Sequence, residues 1–339
     1  MKALVYEGPN KLVLKDRARP QRKEGEVLIK IRACGICGSD VEGYLGKSGR
    51  RTAPMVMGHE FSGEIIEVDK DSDLSVGDKV TAYPKLYCGE CEYCKKGLTN
   101  ICPEADFLGA MDTDGAMKEY LSIDEKYVIK ADDNIDYIDL SMVEPLAVAY
   151  RSTTKVTDNE IKNAKNILII GAGTIGLFIL QVLKIKGAKN IIVSDLSDYR
   201  LKLAKKLGAS SVLNPKKSEF KEKIEKITNN EMIDYSFEAV GFSSTASQAL
   251  NSLKVGGTSI WVGNAQKMIE VNMQQIVTTE LNIKGNYIYS EKDFKNCLQL
   301  IEEDKIDIDS LISIKTDLSN GKTMFEKLVN ENKDGKIIK

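Results

Sequence analysis

Short apolar runs separated by polar turns dominate the first hundred residues: EVLIKIRA (26–33), SGEIIEVD (62–69) and GDKVTAY (77–83), with SVGD (75–78) as a turn. Runs of this length with turn residues between them predict a small antiparallel β domain. From about Asn166 the texture changes. NILIIG (166–171) is a continuous apolar strand, TIGLFILQVLKIKG (174–187) a helix closing on a glycine, and NIIVSD (190–195) a second strand. DYRLKLAKKLGA (198–209) then reads as helix and SVLN (211–214) as strand, while IDYSFEAVG (233–241) and TSIWVGNA (258–265) extend the alternation. Strands alternating with helical patterns predict a doubly wound parallel α/β sheet with crossover helices. EKDFKNCLQLIEEDKI (291–306) is amphipathic helix and GKIIK (335–339) a short strand. This tail is too small for its own core, so it is expected to pack back on the N-terminal domain.

Composition narrows the function classes. A chain of 339 residues, 42% hydrophobic and 29% charged, with formal charge -2, suits a two-domain globular protein and carries no basic footprint for nucleic acid. Mixed-charge stretches such as KEKIEK (221–226) read as solvated helix faces. The start MKALVYEGPN has no apolar targeting core and no run has the length of a membrane span, so a cytoplasmic protein without membrane partners is expected. Seven cysteines without a secretion signal point to thiols used for metal rather than disulfides.

Four of them, Cys88, Cys91, Cys94 and Cys102, stand in YCGECEYCKKGLTNIC with two, two and seven residues between them. That spacing lets one loop present four thiolates to a tetrahedral ion and leaves no open position, which predicts a structural zinc site. Gly171, Gly173 and Gly176 form a G-x-G-x-x-G between a buried strand and a helix, with Thr174 and Ile175 inside the motif. The first glycine makes the turn, the second admits a pyrophosphate, and the third lets helix and strand pack closely. Asp195 ends the next strand, where a carboxylate can accept from both ribose hydroxyls and repel a 2'-phosphate, so NAD is favoured over NADP. Arg200 follows; it either meets the adenine or a phosphate, or is a solvated helix residue.

His59, in VMGHEFSG, is the sole histidine, with Glu60 directly after it. It reads either as a ligand or as a half-buried residue satisfied by hydrogen bonds. Cys37 and Ser39 lie in the glycine-rich RACGICGSDVEGYLG some twenty residues earlier, and Glu144 in SMVEPLAVAY falls between the two domains. A cysteine, a histidine and a carboxylate are a plausible three-ligand set for catalytic zinc, which needs three protein ligands and one open position.

GICGSD, GHEFSG, the four-cysteine loop, GAGTIG and EPLAVA occur in the order found in zinc-dependent medium-chain dehydrogenases, and the chain resembles the polyol dehydrogenase branch of that family over its full length. The resemblance implies a GroES-like catalytic domain, residues 1–145 completed by 286–339, around a Rossmann NAD-binding domain, 146–285. It makes Cys37 and His59 catalytic zinc ligands, and Glu60 and Glu144 two acidic positions of which either binds the ion while the other serves its water. It implies oxidation of an alcohol by hydride transfer to NAD, with Ser39 the first proton acceptor. Many members end the proton relay at a histidine where this chain has Glu42 and Gly43, so water or Glu42 must take the last step. Cys34 and Cys297 match no ligand position and read as buried small residues.

A polyol or polyol phosphate is the expected substrate. Lys47, Arg50 and Arg51 in LGKSGRRTAP either hold a phosphate by charge-assisted hydrogen bonds or form a solvated basic loop. The family's polyol-binding arginine is Ile288 here, Tyr289 beside it is retained, and Tyr44 either lines the pocket or packs. Family members are dimers or tetramers, so a homodimer or homotetramer is expected, with TSIWVGN (258–264) and IEVNM (269–273) as candidate edge strands. Competing readings are a nicotinamide-binding sensor with an unused metal site, and a zinc-stabilised scaffold.

Overall fold

The computed structural model describes residues 1–216, 219–330 and 336–338. The chain forms two compact units, Met1–Glu144 with Ser290–Lys339, and Pro145–Tyr289. The division falls at 144/145 and 289/290 rather than at 145/146 and 285/286, so Tyr289 belongs to the second unit and not to the tail.

In the first unit a five-stranded antiparallel sheet runs in the order Val128–Lys130, Lys79–Ala82, Phe61–Glu67, Glu26–Cys34, Tyr120–Asp124. Its central strand, Glu26–Cys34, pairs along most of its length with Phe61–Glu67. This pairing matters for chemistry, because the strand ends lead on one side into Cys37 and on the other back to His59. A smaller sheet joins Lys11–Asp16, Lys2–Gly8 and Met55–Val56. The tail returns to this unit. Phe325, in the helix Gly321–Asn330, packs at a tilt against Tyr44 with ring centroids 5.5 Å apart, and a Cβ on Gly321 would meet Leu4 Cδ2 at 2.6 Å. Tyr87 donates to Glu291 at 2.8 Å, and the Asp132 amide donates to Glu302 at 3.1 Å. Lys336–Ile338 pairs with Ile312–Lys315 in parallel.

The second unit is a six-stranded parallel sheet, ordered Ser211–Leu213, Ile191–Ser194, Ile167–Ile170, Ile233–Glu238, Leu253–Trp261, Asn282–Gly285. The order reverses between Ile167–Ile170 and Ile233–Glu238, the first and fourth strands in chain order, the arrangement of a Rossmann fold, whose crevice for ligands lies beyond the carboxyl ends of the strands. Ile167–Ile170 and Ile191–Ser194 are buried on both faces, which is why they read as unbroken apolar runs. One expectation is corrected. TSIWVGN lies largely in Leu253–Trp261, an interior strand whose residues 257–260 are buried, and IEVNM leads into the helix Met273–Thr278 rather than a strand. The edge on this side of the sheet is Asn282–Gly285, all four residues exposed, and the opposite edge is Ser211–Leu213. Among the described residues no helix is long and apolar enough to cross a membrane.

A cluster of glycines shapes the turn before His59. Gly58 has φ of +99°, a left-handed conformation that favours glycine. Its backbone is so closely approached that a Cβ on Gly115 would lie 2.2 Å from the Gly58 carbonyl oxygen, and one on Gly109 2.6 Å from the same atom. Gly115→Ala is therefore expected to cost about 1–3 kcal/mol through overpacking. Urea denaturation checks it: an unchanged midpoint would show that these backbones do not touch.

Candidate metal and cofactor sites

Cys37 ends the loop after the central strand and sits at the N-terminus of the short helix Gly38–Tyr44; His59 and Glu60 follow the Gly58 turn. The donor atoms of Cys37, His59 and Glu60 all lie within 4.8 Å of one another. Gly35 makes room for the carboxylate, since a Cβ there would meet Glu60 Oε2 at 2.2 Å, and the Gly35 amide donates to the Glu60 carbonyl at 2.6 Å. A thiolate, an imidazole and a carboxylate suit zinc, and three protein donors leave one position for a ligand, the pattern of catalytic rather than structural sites. Glu144, buried in the first turn of Val143–Thr153, stands outside this set of three.

The four cysteines also converge, with sulfurs within 4.8 Å of one another. Cys91 caps the short helix Glu92–Lys95, its sulfur accepting the Cys94 amide at 3.4 Å, and Cys88 sulfur accepts the Cys91 amide at 3.4 Å. These amides favour thiolates. The backbone N–H groups of Cys91 and Glu90 hold the Cys88 thiol down to about 7, whereas burial pushes Cys94 up to about 12. A bound cation reverses the second effect, because it deprotonates the thiols it binds. Cys34 and Cys297 are buried and belong to neither cluster.

In the second unit Gly171 has φ of +96°, and a Cβ there would strike Val240 Cγ2 at 2.6 Å. A Cβ on Gly176 would lie 1.8 Å from the Gly171 carbonyl oxygen, so helix Thr174–Ile185 can approach the loop only with glycine there. Gly173 caps that helix and faces open space, as a backbone surface for a pyrophosphate requires. Thr174 and Ile175 form the first turn. Asp195 is fixed beneath the loop: Oδ2 accepts the Ala172 amide at 2.7 Å and Oδ1 the Ser197 amide at 2.8 Å. Arg200 lies in the first turn of Asp198–Lys206, its amide donating to Ser197 Oγ at 3.4 Å.

Comparison with known proteins gives two family matches. Residues 23–133 match the alcohol dehydrogenase GroES-like domain and 174–303 the zinc-binding dehydrogenase domain. Sorbitol dehydrogenase of Bacillus subtilis (strain 168) is 32% identical, over 96% of this chain and 93% of its own. The chain belongs to the zinc-binding alcohol dehydrogenase family. D-arabitol-phosphate dehydrogenase of Enterococcus avium is also 32% identical, over 98% of this chain and 95% of its own. The crystal structure of galactitol-1-phosphate dehydrogenase from Escherichia coli superposes with a TM-score of 0.92 at 27% identity, covering 100% of this chain and 99% of that one.

Burial divides the residues expected near a substrate in this alcohol dehydrogenase. Arg51 does not belong to an open basic loop. Its side chain is 4% exposed and its Nη2 is 2.9 Å from Asp40 Oδ1, a carboxylate with no exposure at all. Burial of one partner demanded burial of the other, since a lone buried charge is far costlier than a paired one. Lys47 and Arg50 remain exposed. Tyr44 is a packing residue, its hydroxyl donating to the Asn10 carbonyl at 3.1 Å, and Tyr289 is fully buried.

Two acids were missed from the sequence. Asp40 accepts the Cys37 backbone amide through Oδ2 at 3.2 Å, and its Oδ1 faces His59 Nδ1 at 3.6 Å, just beyond hydrogen-bond distance. Its signal was the acid of GSD, passed over in favour of the serine beside it. Glu238, at the end of Ile233–Glu238, is buried and accepts the amides of Val240 at 3.0 Å and Gly241 at 2.8 Å, holding the loop against which Gly171 packs.

In zinc-free protein at pH 7, Cys88 should react with iodoacetamide ahead of Cys94, and zinc loading should protect all four clustered thiols. Peptide mapping of the alkylated protein reads this directly; Cys94 labelled first, or no protection by zinc, would contradict the geometry.

Proposed function

We propose that this chain is a cytoplasmic, NAD-dependent zinc polyol dehydrogenase that oxidises a secondary alcohol of a sugar alcohol or sugar-alcohol phosphate to the ketose, with galactitol 1-phosphate (oxidised at carbon 5) as the first candidate substrate. The observation that carries this reading is the convergence of half-buried Cys37 with buried His59 and Glu60 in one cluster, with Ser39 two residues after Cys37. A sensor or scaffold would have no need of a three-donor set with an adjacent hydroxyl. Glu60 is the direct carboxylate ligand in this reading, and Glu144 plays a supporting part. When bound, zinc supplies Lewis acidity that makes an alcohol easier to deprotonate, and NAD accepts the hydride.

The chain's own residues do the remaining work. Ser39 takes the hydroxyl proton of the substrate and passes its own onward. Glu42 lies three residues along the same short helix, on the same face, and is the candidate for the last acceptor. Burial raises its carboxyl above the usual carboxylate range, against the opposing charges of Lys47 and Arg51. Glycines 171, 173 and 176 hold the pyrophosphate with Thr174 and Ile175, and Asp195 selects the unphosphorylated ribose, with Arg200 beside it. Support for a phosphorylated substrate comes from exposed Lys47 and Arg50, and from relatives named for arabitol phosphate and galactitol 1-phosphate. Free sorbitol is the second reading, favoured by the equal identity to sorbitol dehydrogenase. A homodimer or homotetramer joined through the exposed edge Asn282–Gly285 completes the proposal.

The test is NADH formation by zinc-loaded protein with galactitol 1-phosphate, sorbitol 6-phosphate, galactitol, sorbitol, xylitol and threonine. A phosphorylated polyol should win, and Lys47→Ala with Arg50→Ala should raise its KM about tenfold, the loss of charge-assisted hydrogen bonds; preference for a free polyol would remove the phosphate from the proposal. Glu42→Gln should lower kcat with little change in KM. Since Glu42 must be ionised to accept a proton, wild-type activity falls as pH drops through its raised pKa, and the glutamine variant should lose that limb. An unchanged pH profile would return the last step to water.

A further inference from the structure

Arg51 is joined by one nitrogen to two consecutive residues of the catalytic loop. Nη2 donates to Asp40 Oδ1 at 2.9 Å and lies 3.3 Å from Ser39 Oγ. The chain is shaped to let it do so. A Cβ on Gly43 would sit 2.6 Å from Arg51 Cγ and 3.1 Å from Nε, so the arginine stem passes through the space a side chain at 43 would fill. Gly43 is in a right-handed helix and has no conformational need to be glycine. Its smallness serves the arginine.

The contacts divide into two effects. The guanidinium occupies one lone pair of Ser39 Oγ, since an arginine can only donate. The serine hydrogen must then point away from Arg51, and the remaining lone pair is the one open to a proton from substrate. At Asp40, the ion pair holds a fully buried carboxylate whose other contacts are the Cys37 amide at 3.2 Å and His59 Nδ1 at 3.6 Å. A carboxylate behind a ligand histidine orients its ring and tunes the donor. Arg51 therefore touches the relay serine directly and holds the carboxylate that caps the Cys37 backbone and faces the His59 ring.

We propose that Arg51, accommodated by Gly43, is a positioning residue that fixes the proton-accepting orientation of Ser39 and shares Asp40 with His59, rather than a ligand for substrate phosphate. The inference rests on the dehydrogenase reading for its kinetic consequence, and on geometry alone for its effect on His59. In the relay a proton leaves the substrate hydroxyl for Ser39 Oγ as the serine's own proton departs to the next acceptor, so no charge accumulates on the serine. Lysine cannot replace the arginine fully, because its ammonium is a strongly hydrated point charge on a flexible stem and is harder to desolvate and hold in this buried place.

The experiment compares wild type with Arg51→Gln, Arg51→Lys and Gly43→Ala, each checked for zinc content and thermal melting. Arg51→Gln should lower kcat tenfold or more, change KM for the alcohol less than threefold, and raise the solvent deuterium isotope effect on kcat as proton transfer becomes limiting. Arg51→Lys should recover part of kcat. Gly43→Ala, which keeps the charge but displaces the stem, should follow Arg51→Gln; it also serves if the glutamine variant fails to fold. A second readout is independent of turnover. His59 is the sole histidine, so its ring nitrogens in protein labelled with 15N-histidine are assigned without ambiguity. Removing the guanidinium should shift the Nδ1 resonance as Asp40 turns to the imidazole. An unmoved resonance in folded Arg51→Gln and Gly43→Ala would overturn the proposal. So would a fall in kcat that tracks lost zinc or folded fraction with an unchanged isotope effect. If wild type oxidised no alcohol, the dehydrogenase reading would fail while the resonance still decided the geometry.

Discussion

Charge removed from water must be matched, and that constraint organises the catalytic half of this molecule. Asp40, His59, Glu60 and the head of Arg51 are all nearly inaccessible to solvent, and His59 and Glu60 converge on a cysteine that must be a thiolate to bind metal. Asp40 is matched by Arg51. The thiolate of Cys37 and the carboxylate of Glu60 suit the dication that they and His59 would enclose. Secondary structure supplies the convergence: one antiparallel pairing, Glu26–Cys34 with Phe61–Glu67, brings two segments over twenty residues apart in sequence to the same end of a sheet. Glycines then supply the space, at 35 for Glu60, at 58 for the turn and at 43 for Arg51.

Much of this was legible in the sequence because its causes are local. Cysteine spacing within one loop, and a glycine motif between a buried strand and a helix, encode their geometry within a few residues. The parallel sheet was legible for the same reason, since strands covered on both faces show as unbroken apolar runs. The fate of Arg51 was not. A pair of adjacent arginines in a glycine-containing loop reads as solvated or phosphate-binding, and nothing in that loop shows that a missing side chain eight residues earlier opens a path inward. Asp40 was hidden by the same pairing, because an acid beside a candidate catalytic serine reads as a helix-start residue until the arginine and histidine are placed around it.

The sheet edge failed for a different reason. TSIWVGN is the most strand-like segment of its region, and strong β propensity suggested an edge available for association. Propensity instead marked burial on both faces, hence an interior strand, while the neighbouring edge, Asn282–Gly285, is exposed and carries a single large apolar residue, Ile283. Edge strands of soluble proteins commonly avoid continuous apolar sequence, so the weaker signal was the relevant one.

The most direct measurement is an anomalous difference map, recorded across the zinc absorption edge, from crystals of the full chain grown with zinc. Two peaks per chain are expected, one enclosed by Cys88, Cys91, Cys94 and Cys102, the other by Cys37, His59 and Glu60. A single peak at the four cysteines, or a second ion bound by Glu144 with Glu60 turned away, would contradict the catalytic centre described here.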